Sequence, residues 1–349
     1  MNRCWFAPAI MSLAIAMSPL HAVRAQRFPV RVTAVDTIGR ELALGVITDQ
    51  ELGSDGSMYL VDFSNNQILK FNPAGDLQWR VGRKGQAPGE YLGAYRVAAG
   101  ADGRVRVFDI FAQQVTVLDS SGQYVDRRAL PLVFDAFDQM VVLPDGGLAV
   151  AGVTHTAPGV DRAIHIFDSS FRHVRSFGPL PETKRPEVLP YWGAGGLSLS
   201  RDGDLLYTRR IPYEIYRYSP DGELRQRINA AFGMKYKPED AIRVEYGSDN
   251  GHPSRTIESA DVPVVRPLGA FELGDGLILG GRSVRNGAAY GDLFSTAGKL
   301  LATTTWPDQD PPFCYDPRRH VLWFVGEVAD EPVVIRKGVV IAATASSGQ

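Results

Sequence analysis

The chain has 349 residues, 44% of them hydrophobic, which is ample for a large core and close to the size at which chains divide into domains. Its formal net charge of −2, with no basic run, argues against a nucleic-acid binder. With 36 glycines, 23 prolines and almost no long helical periodicity, it is a chain of many turns.

Residues 1–25 read as a signal peptide. Met1-Asn2-Arg3 is a short basic start, and Trp5 to Leu20 is apolar apart from Ser and Pro. Val23-Arg24-Ala25 offers small residues for cleavage before Gln26. The apolar run is short for a membrane span, and Pro8 and Pro19 interrupt it. Cys4 lies too early to carry a lipid after cleavage. Removal of Arg3 and Arg24 shifts the formal charge from −2 to −4 and leaves Cys314 as the single cysteine, so no internal disulfide can form. An exported chain without disulfides fits a bacterial periplasm or the cell exterior. No Asn-x-Ser/Thr sequon occurs, in agreement.

Val30-Arg31-Val32-Thr33-Ala34-Val35 alternates cleanly and reads as a strand. Then a unit of short strands begins, from about Gly45 to Gly82. Asp55-Gly56 turns into Ser57–Asp62, a loop leads to Gln67–Phe71, and Asn72-Pro73-Ala74-Gly75-Asp76 turns into Leu77–Val81. The pattern returns 47 residues later, with Asp102-Gly103, Val105–Asp109 and Val115–Leu118. It recurs around Asp145-Gly146, Asp202-Gly203 and Asp275-Gly276, and more loosely around Asp316-Pro317-Arg318-Arg319. The second turn recurs too: Asp119-Ser120-Ser121-Gly122-Gln123, Asp168-Ser169-Ser170-Phe171-Arg172, Ser219-Pro220-Asp221-Gly222-Glu223, Ser295-Thr296-Ala297-Gly298-Lys299 and, loosely, Arg336-Lys337-Gly338.

A repeat of this length built only from strands reads as an all-β, six-bladed β-propeller of four-stranded antiparallel blades over residues 26–342. The N-terminal strand is expected on the outer edge of blade six, closing the ring. Blade four to blade five is too long by about one hairpin. The excess, residues 231–266, is read as an insertion in which Pro238–Tyr246 forms a short helix, with Pro and acids in its first turn. The small, polar tail 343–349 is expected to be disordered.

Two motifs carry a family resemblance. Val81-Gly82-Arg83-Lys84-Gly85-Gln86-Ala87-Pro88-Gly89-Glu90-Tyr91 resembles the G-R-x-G-x-G-P-G-E-[FY] loop after blade one in exported bacterial propellers related to NHL repeats, with Ala87 in place of a glycine. Tyr59–Ile68 resembles the NHL core "YVxDxxNxRI". The resemblance is clear over residues 45–130 and fainter beyond. It implies a fold strongly and a function weakly, since such rings include protein-binding platforms, nucleic-acid binders, lyases and lactonases.

The chemistry-bearing residues are sparse. After signal cleavage the histidines are His155, His165, His173, His252 and His320, no three of them at equivalent blade positions, which speaks against a three-histidine zinc site. Asp202-Gly203-Asp204 and Asp308-Gln309-Asp310 lack the longer calcium-hand pattern and read as turns. There is no G-x-S-x-G elbow, Cys314 reads as a buried strand residue, and Gly193-Ala194-Gly195-Gly196 as a blade entry.

In a propeller, the loops between blades and those between second and third strands open on one face. That gathers Asp62, Asn65, Arg83, Lys84, Glu90, Tyr91, Asp109, Gln113, His155, Arg209, Arg210, Tyr213, Arg282 and Arg285 around one mouth, with Arg83, Lys84, Tyr91, Arg209 and Arg210 as expected anchors. Asp62 and Asp109 can equally cap their turns. The expected function is a monomeric, exported, non-enzymatic binding platform for a protein, peptide or glycan, without a cofactor. The alternative is a lactonase-like or lyase-like enzyme with calcium held by channel carboxylates.

Overall fold

The computed structural model describes residues 30–154, 162–183, 188–230, 242–249, 252–259, 266–273, 276–283, 289–305, 314–316, 318–319, 321–328 and 331–342. The signal peptide, His155, Arg285, Asp308–Asp310 and the tail lie outside them.

The chain is all-β, a propeller of four-stranded antiparallel blades. Blade one is Ile47–Leu52, Met58–Asp62, Gln67–Phe71 and Leu77–Val81. Blade two is Ala94–Ala99, Val105–Asp109, Gln114–Leu118 and Tyr124–Ala129. Blade three is Phe134–Val142, Leu148–Thr154, Ile164–Phe167 and His173–Phe177. Blade four is Gly195–Leu199, Leu205–Arg209, Glu214–Tyr218 and Leu224–Asn229. Blade five is Arg266–Glu272, Ile278–Ser283, Ala289–Phe294 and Leu300–Thr305. A further sheet holds Cys314–Asp316, Val321–Val328 and Glu331–Ala342, and Val30–Ile38 pairs antiparallel with the last of these, from Val30↔Ala342 to Ile38↔Ile335. No helix among the described residues is long and apolar enough to cross a membrane.

The recurring turn has one physical cause. Its first residue is Asn72, Asp119, Asp168, Ser219 or Ser295, and that side-chain oxygen accepts the backbone N–H four residues on, at 2.9–3.2 Å. The fourth residue takes a positive φ, which favours glycine, and Gly75 has φ 97°. Blade three departs: Phe171 holds this position at φ 61°, with its side chain buried in the hydrophobic cluster between blades two and three.

Burial follows the layering. Met58–Asp62, Val105–Asp109 and Leu205–Arg209 are buried throughout, whereas the fourth strands of blades one and two are largely exposed. Hydrophobic clusters form between consecutive sheets rather than at one centre. One joins Tyr59, Val61 and Ile68 to Val97 and Val105, and another joins Ala149 and Ile164 to Leu205 and Tyr207. Leu206 and Ile215 meet Ile278 and Phe294, and Leu279 and Leu293 meet Tyr315 and Leu322. Cys314, Val321 and Trp323 pack on Ile47, Leu60 and Phe71 of blade one. Sheets of β-branched and aromatic residues, covered on both faces, need such seams.

The insertion differs from expectation. Ile242–Asp249 is a strand, not a helix, paired with His252–Ser259 from Ile242↔Ser259 to Asp249↔His252. Ile242, Val244 and Tyr246 alternate with Arg243 and Glu245, and Asn250-Gly251, the strongest two-residue hairpin sequence, separates the strands.

Candidate functional site

The first strand of each sheet faces the axis, and together these strands line a cavity of about 510 Å³. One end lies where blades are entered and second strands lead into third. Thr48, Arg96, Asp138, Gln139, Gly195 and Arg210 line it there. The opposite end is formed by first-to-second-strand turns, with Ser54, Pro144, Asp316 and Arg318.

The entry end is a closed hydrogen-bond network. Arg96 Nε donates to the Asp138 carbonyl at 2.5 Å, and its Nη1 donates to the Thr48 carbonyl. Thr48 Oγ1 donates to the Tyr95 carbonyl at 2.8 Å, so Arg96 and Thr48 tie blade one to blades two and three. The Asp138 carboxylate accepts from Ala194 N at 2.5 Å and from Arg210 Nη2 at 3.2 Å. This explains the glycine-rich entry to blade four: any side chain at Gly193 would collide with Asp138, a Cβ there lying 2.6 Å from its carboxyl carbon. Arg210 Nε is buried without a partner.

Deeper in, burial pushes the Asp49 carboxyl up to about 6, against the Arg96 charge and hydrogen bonds from Val97 N and Gln139 Nε2. Burial, then the Asp49 charge, pushes Glu51 well above the usual carboxylate range. Cys314 also lines the cavity, and its thiol is pushed well up by burial and by the nearby Glu51 and Asp49. Among the described residues no three His, Cys, Asp or Glu side chains converge as metal ligands would.

The residues expected at the mouth are dispersed. Arg210 reaches the cavity. Arg209 does not: it is 3% exposed, ion-paired with the buried Glu214, whose other oxygen takes Arg227 Nη2 at 2.6 Å. Tyr213 is buried against Gly280. Tyr91 is 1% exposed, folded back over Gly82, and its hydroxyl lacks a partner. Arg83 is exposed and pairs with Glu90 at 2.6 Å, and Lys84 is exposed beside it. Hydrogen bonds from Ala87 N and Arg83 lower the Glu90 carboxyl. This loop is clasped by Arg127, from the outer strand of blade two, which donates to the Gln86 and Ala87 carbonyls at 3.0 Å. The loop and Arg210 therefore do not form one constellation. Arg282 lies in the second strand of blade five, paired with Pro267 and Tyr290.

Asp62 and Asp109 are buried and bind their own loops. Asp62 accepts from Gly45 N and Asn65 N, both at 3.1 Å. Asp109 accepts from Leu92 N, Gly93 N, Phe111 N and Ala112 N at 2.6–3.1 Å. Gln113 donates to the Ile110 carbonyl at 2.8 Å. Sequence reading missed Arg96, Asp138 and Gln139. All three sit on first strands beside β-bulges, which set where a side chain points, and nothing local in sequence marks those bulges.

No protein-family model matches the chain, and no curated protein matches it in sequence. Solved structures do. A Bacteroides fragilis NCTC 9343 protein described as exported is 11% identical with a TM-score of 0.59, covering 90% of this chain and 96% of its own. A gluconolactonase of Xanthomonas campestris is 12% identical with a TM-score of 0.51, covering 88% and 99%. A streptogramin B lyase is 11% identical with a TM-score of 0.51, covering 89% and 98%. At such identities the likeness establishes the β-propeller fold alone.

Proposed function

We propose that this chain is an exported, periplasmic or secreted propeller of six blades, closed by Val30–Ile38, that acts as a binding platform. Its ligand is a protein, peptide or glycan seated at the Arg96–Asp138–Arg210 end of the channel. Closure is supported by the Val30–Ile38 pairing and by the packing of Cys314, Val321 and Trp323 on blade one. Export is supported by the signal-like residues 1–25, and kinship with NHL-related propellers by the Val81–Tyr91 loop.

The observation that carries the binding reading is the entry network itself. Arg96, Asp138, Gln139 and Arg210 come from blades two, three and four and face one cavity, with Asp138 holding Arg96 through its carbonyl and Arg210 through its carboxylate. Preorganised polar groups around a concave, partly apolar wall suit recognition, because little ordering entropy is lost on binding. The test is calorimetric titration of the mature protein with panels of peptides and neutral oligosaccharides. Arg210→Ala and Asp138→Asn should each weaken binding about tenfold. Wild-type affinity in both variants would overturn the reading.

A second reading draws on Asp49 and Glu51. Glu51 lines the channel with Asp49 buried beside it, and carboxyls raised by burial at a concave site suit general acid–base work on a lactone or similar ligand. Both Asp49 oxygens already accept hydrogen bonds, which leaves that carboxylate poorly placed for a calcium shell. Lactone hydrolysis that disappears in Asp49→Asn and Glu51→Gln would favour this reading over pure binding.

A further inference from the structure

Beside the channel entrance a series of aromatic rings continues outward from the hydrogen-bond network, in which Arg96 Nη2 donates to the Tyr95 hydroxyl at 3.4 Å. Phe111, 67% exposed, stands at the tip of the loop after Asp109. Its ring centre is 6.2 Å from that of Phe63, in the equivalent loop of blade one. Phe63 is 6.1 Å from Tyr95, edge to face. The Arg96 guanidinium lies over the Tyr95 ring at 4.0 Å, and Arg96 lines the cavity. The rings thus lead from open solvent to the channel wall, with Val46, 57% exposed, also on this face.

The rings are fixed in place. Phe111 N donates to Asp109 Oδ1 at 3.1 Å, and the ring lies against Gly93, where a Cβ would come within 2.5 Å of it. Phe63 N donates to the Val46 carbonyl at 2.9 Å, and Asp62 caps the same loop through Asn65 N. The repeated aspartate that ends the second strand is the support, and the aromatic just after it is what the loop presents. Apolar ring surface exposed to water contributes binding free energy when a ligand covers it, and a ring already held in place loses little side-chain entropy in doing so.

We propose that Phe111, Phe63 and Tyr95 form a stacking track for a neutral oligosaccharide whose leading residue enters the Arg96–Asp138–Arg210 end of the channel. This rests on the binding-platform reading and names its ligand class. A sugar ring offers an apolar C–H face for an aromatic ring and a rim of hydroxyls that both donate and accept. The polar groups at the entrance match that rim. Arg210 is ion-paired with Asp138, Gln139 donates to Asp49, and Arg96 donates to the Asp138, Thr48 and Tyr95 carbonyls, so donors and acceptors stand side by side. An anionic ligand would have to compete with Asp138 for Arg210, whereas a neutral polyol makes hydrogen bonds to both. Rings in series favour a chain of sugars over a single one.

The experiment is titration calorimetry of the mature protein with four neutral tetrasaccharides: β-1,4-glucose, α-1,4-glucose, β-1,4-N-acetylglucosamine and α-1,6-mannose. At least one is expected to bind. Phe111→Ala should weaken it about tenfold or more, Phe111→Trp should retain it, and Asp138→Asn should weaken it as well. Because Phe111 is exposed, its alanine variant should melt with the wild type, which separates lost stacking from lost folding. A tetrasaccharide that binds Phe111→Ala as tightly as wild type but not Asp138→Asn overturns the track and leaves the platform reading standing. Binding of peptides but of none of the four sugars overturns the saccharide assignment. Binding of neither overturns both.

Discussion

Gly75 lies directly under Ile38: a Cβ at position 75 would sit 2.7 Å from the Ile38 Cγ2 methyl. The same relation recurs elsewhere, where turn Gly122 meets Trp79, Gly222 meets Phe177 and Gly298 meets Ile228, each on the outer strand of the preceding blade. Ile38 belongs to the N-terminal strand, which therefore stands toward blade one as an outer strand stands toward the next blade.

That placement gives the first prediction. Deleting residues 30–38 should lower the melting temperature far more than a surface truncation does, because it bares the ladder of Glu331–Ala342 and uncovers the Gly75 turn. Ile38→Ala alone, at a half-buried site, should cost about 1 kcal/mol in urea unfolding. Equal stability of the deletion variant would show that this strand does not hold the ring.

Phe171 sets strain against packing. The left-handed φ of a bulky residue costs about 1–2 kcal/mol, while losing a buried phenyl ring costs about 3–5 kcal/mol. Packing wins, so Phe171→Gly should destabilise by about 2 kcal/mol despite restoring the turn glycine of the other blades. A stabilised variant in thermal unfolding would reverse that ranking.

Asp49 predicts the pH dependence. Its folded carboxyl, at about 6, binds its proton more tightly than the free group at 3.8. The folded state therefore holds more protons between those values. This group's contribution is full below pH 3.8 and declines as pH rises through about 6. The loss is on the order of 3 kcal/mol. Asp49→Asn should remove that decline, so its stability relative to wild type should grow between pH 4 and 7 in urea titrations. Parallel curves would contradict the assignment.

Asp109 tests whether the repeated aspartate supports its loop. Asp109→Ala leaves the N–H groups of Leu92, Gly93, Phe111 and Ala112 without their acceptor. A buried unsatisfied group costs about 1–3 kcal/mol, so a loss of at least about 2 kcal/mol is expected. Hydrogen exchange should rise at those four amides first. Asp109→Asn, which keeps one acceptor oxygen, should lose less.

The sequence alone determined what is local. The turn at 72–76 and its copies are written in five consecutive residues, a side-chain acceptor and a positive-φ position, and from them the strand order and the propeller followed. The pairing of 242–249 with 252–259 has an equally local signal in Asn250-Gly251, which a reading of the Pro and acids ahead of it as a helix start missed. Only the tertiary structure decided which polar groups meet on the axis. Asp138 and Arg210 are 72 residues apart, and Arg96 reaches Thr48 across 48. Tyr91 and Arg209 fit a binding surface by type, yet seam packing buried both. Exposure is set by neighbouring blades that lie tens of residues away in the chain. For that reason two of the five expected anchors became core, while Phe111, an ordinary loop residue by sequence, was left facing solvent.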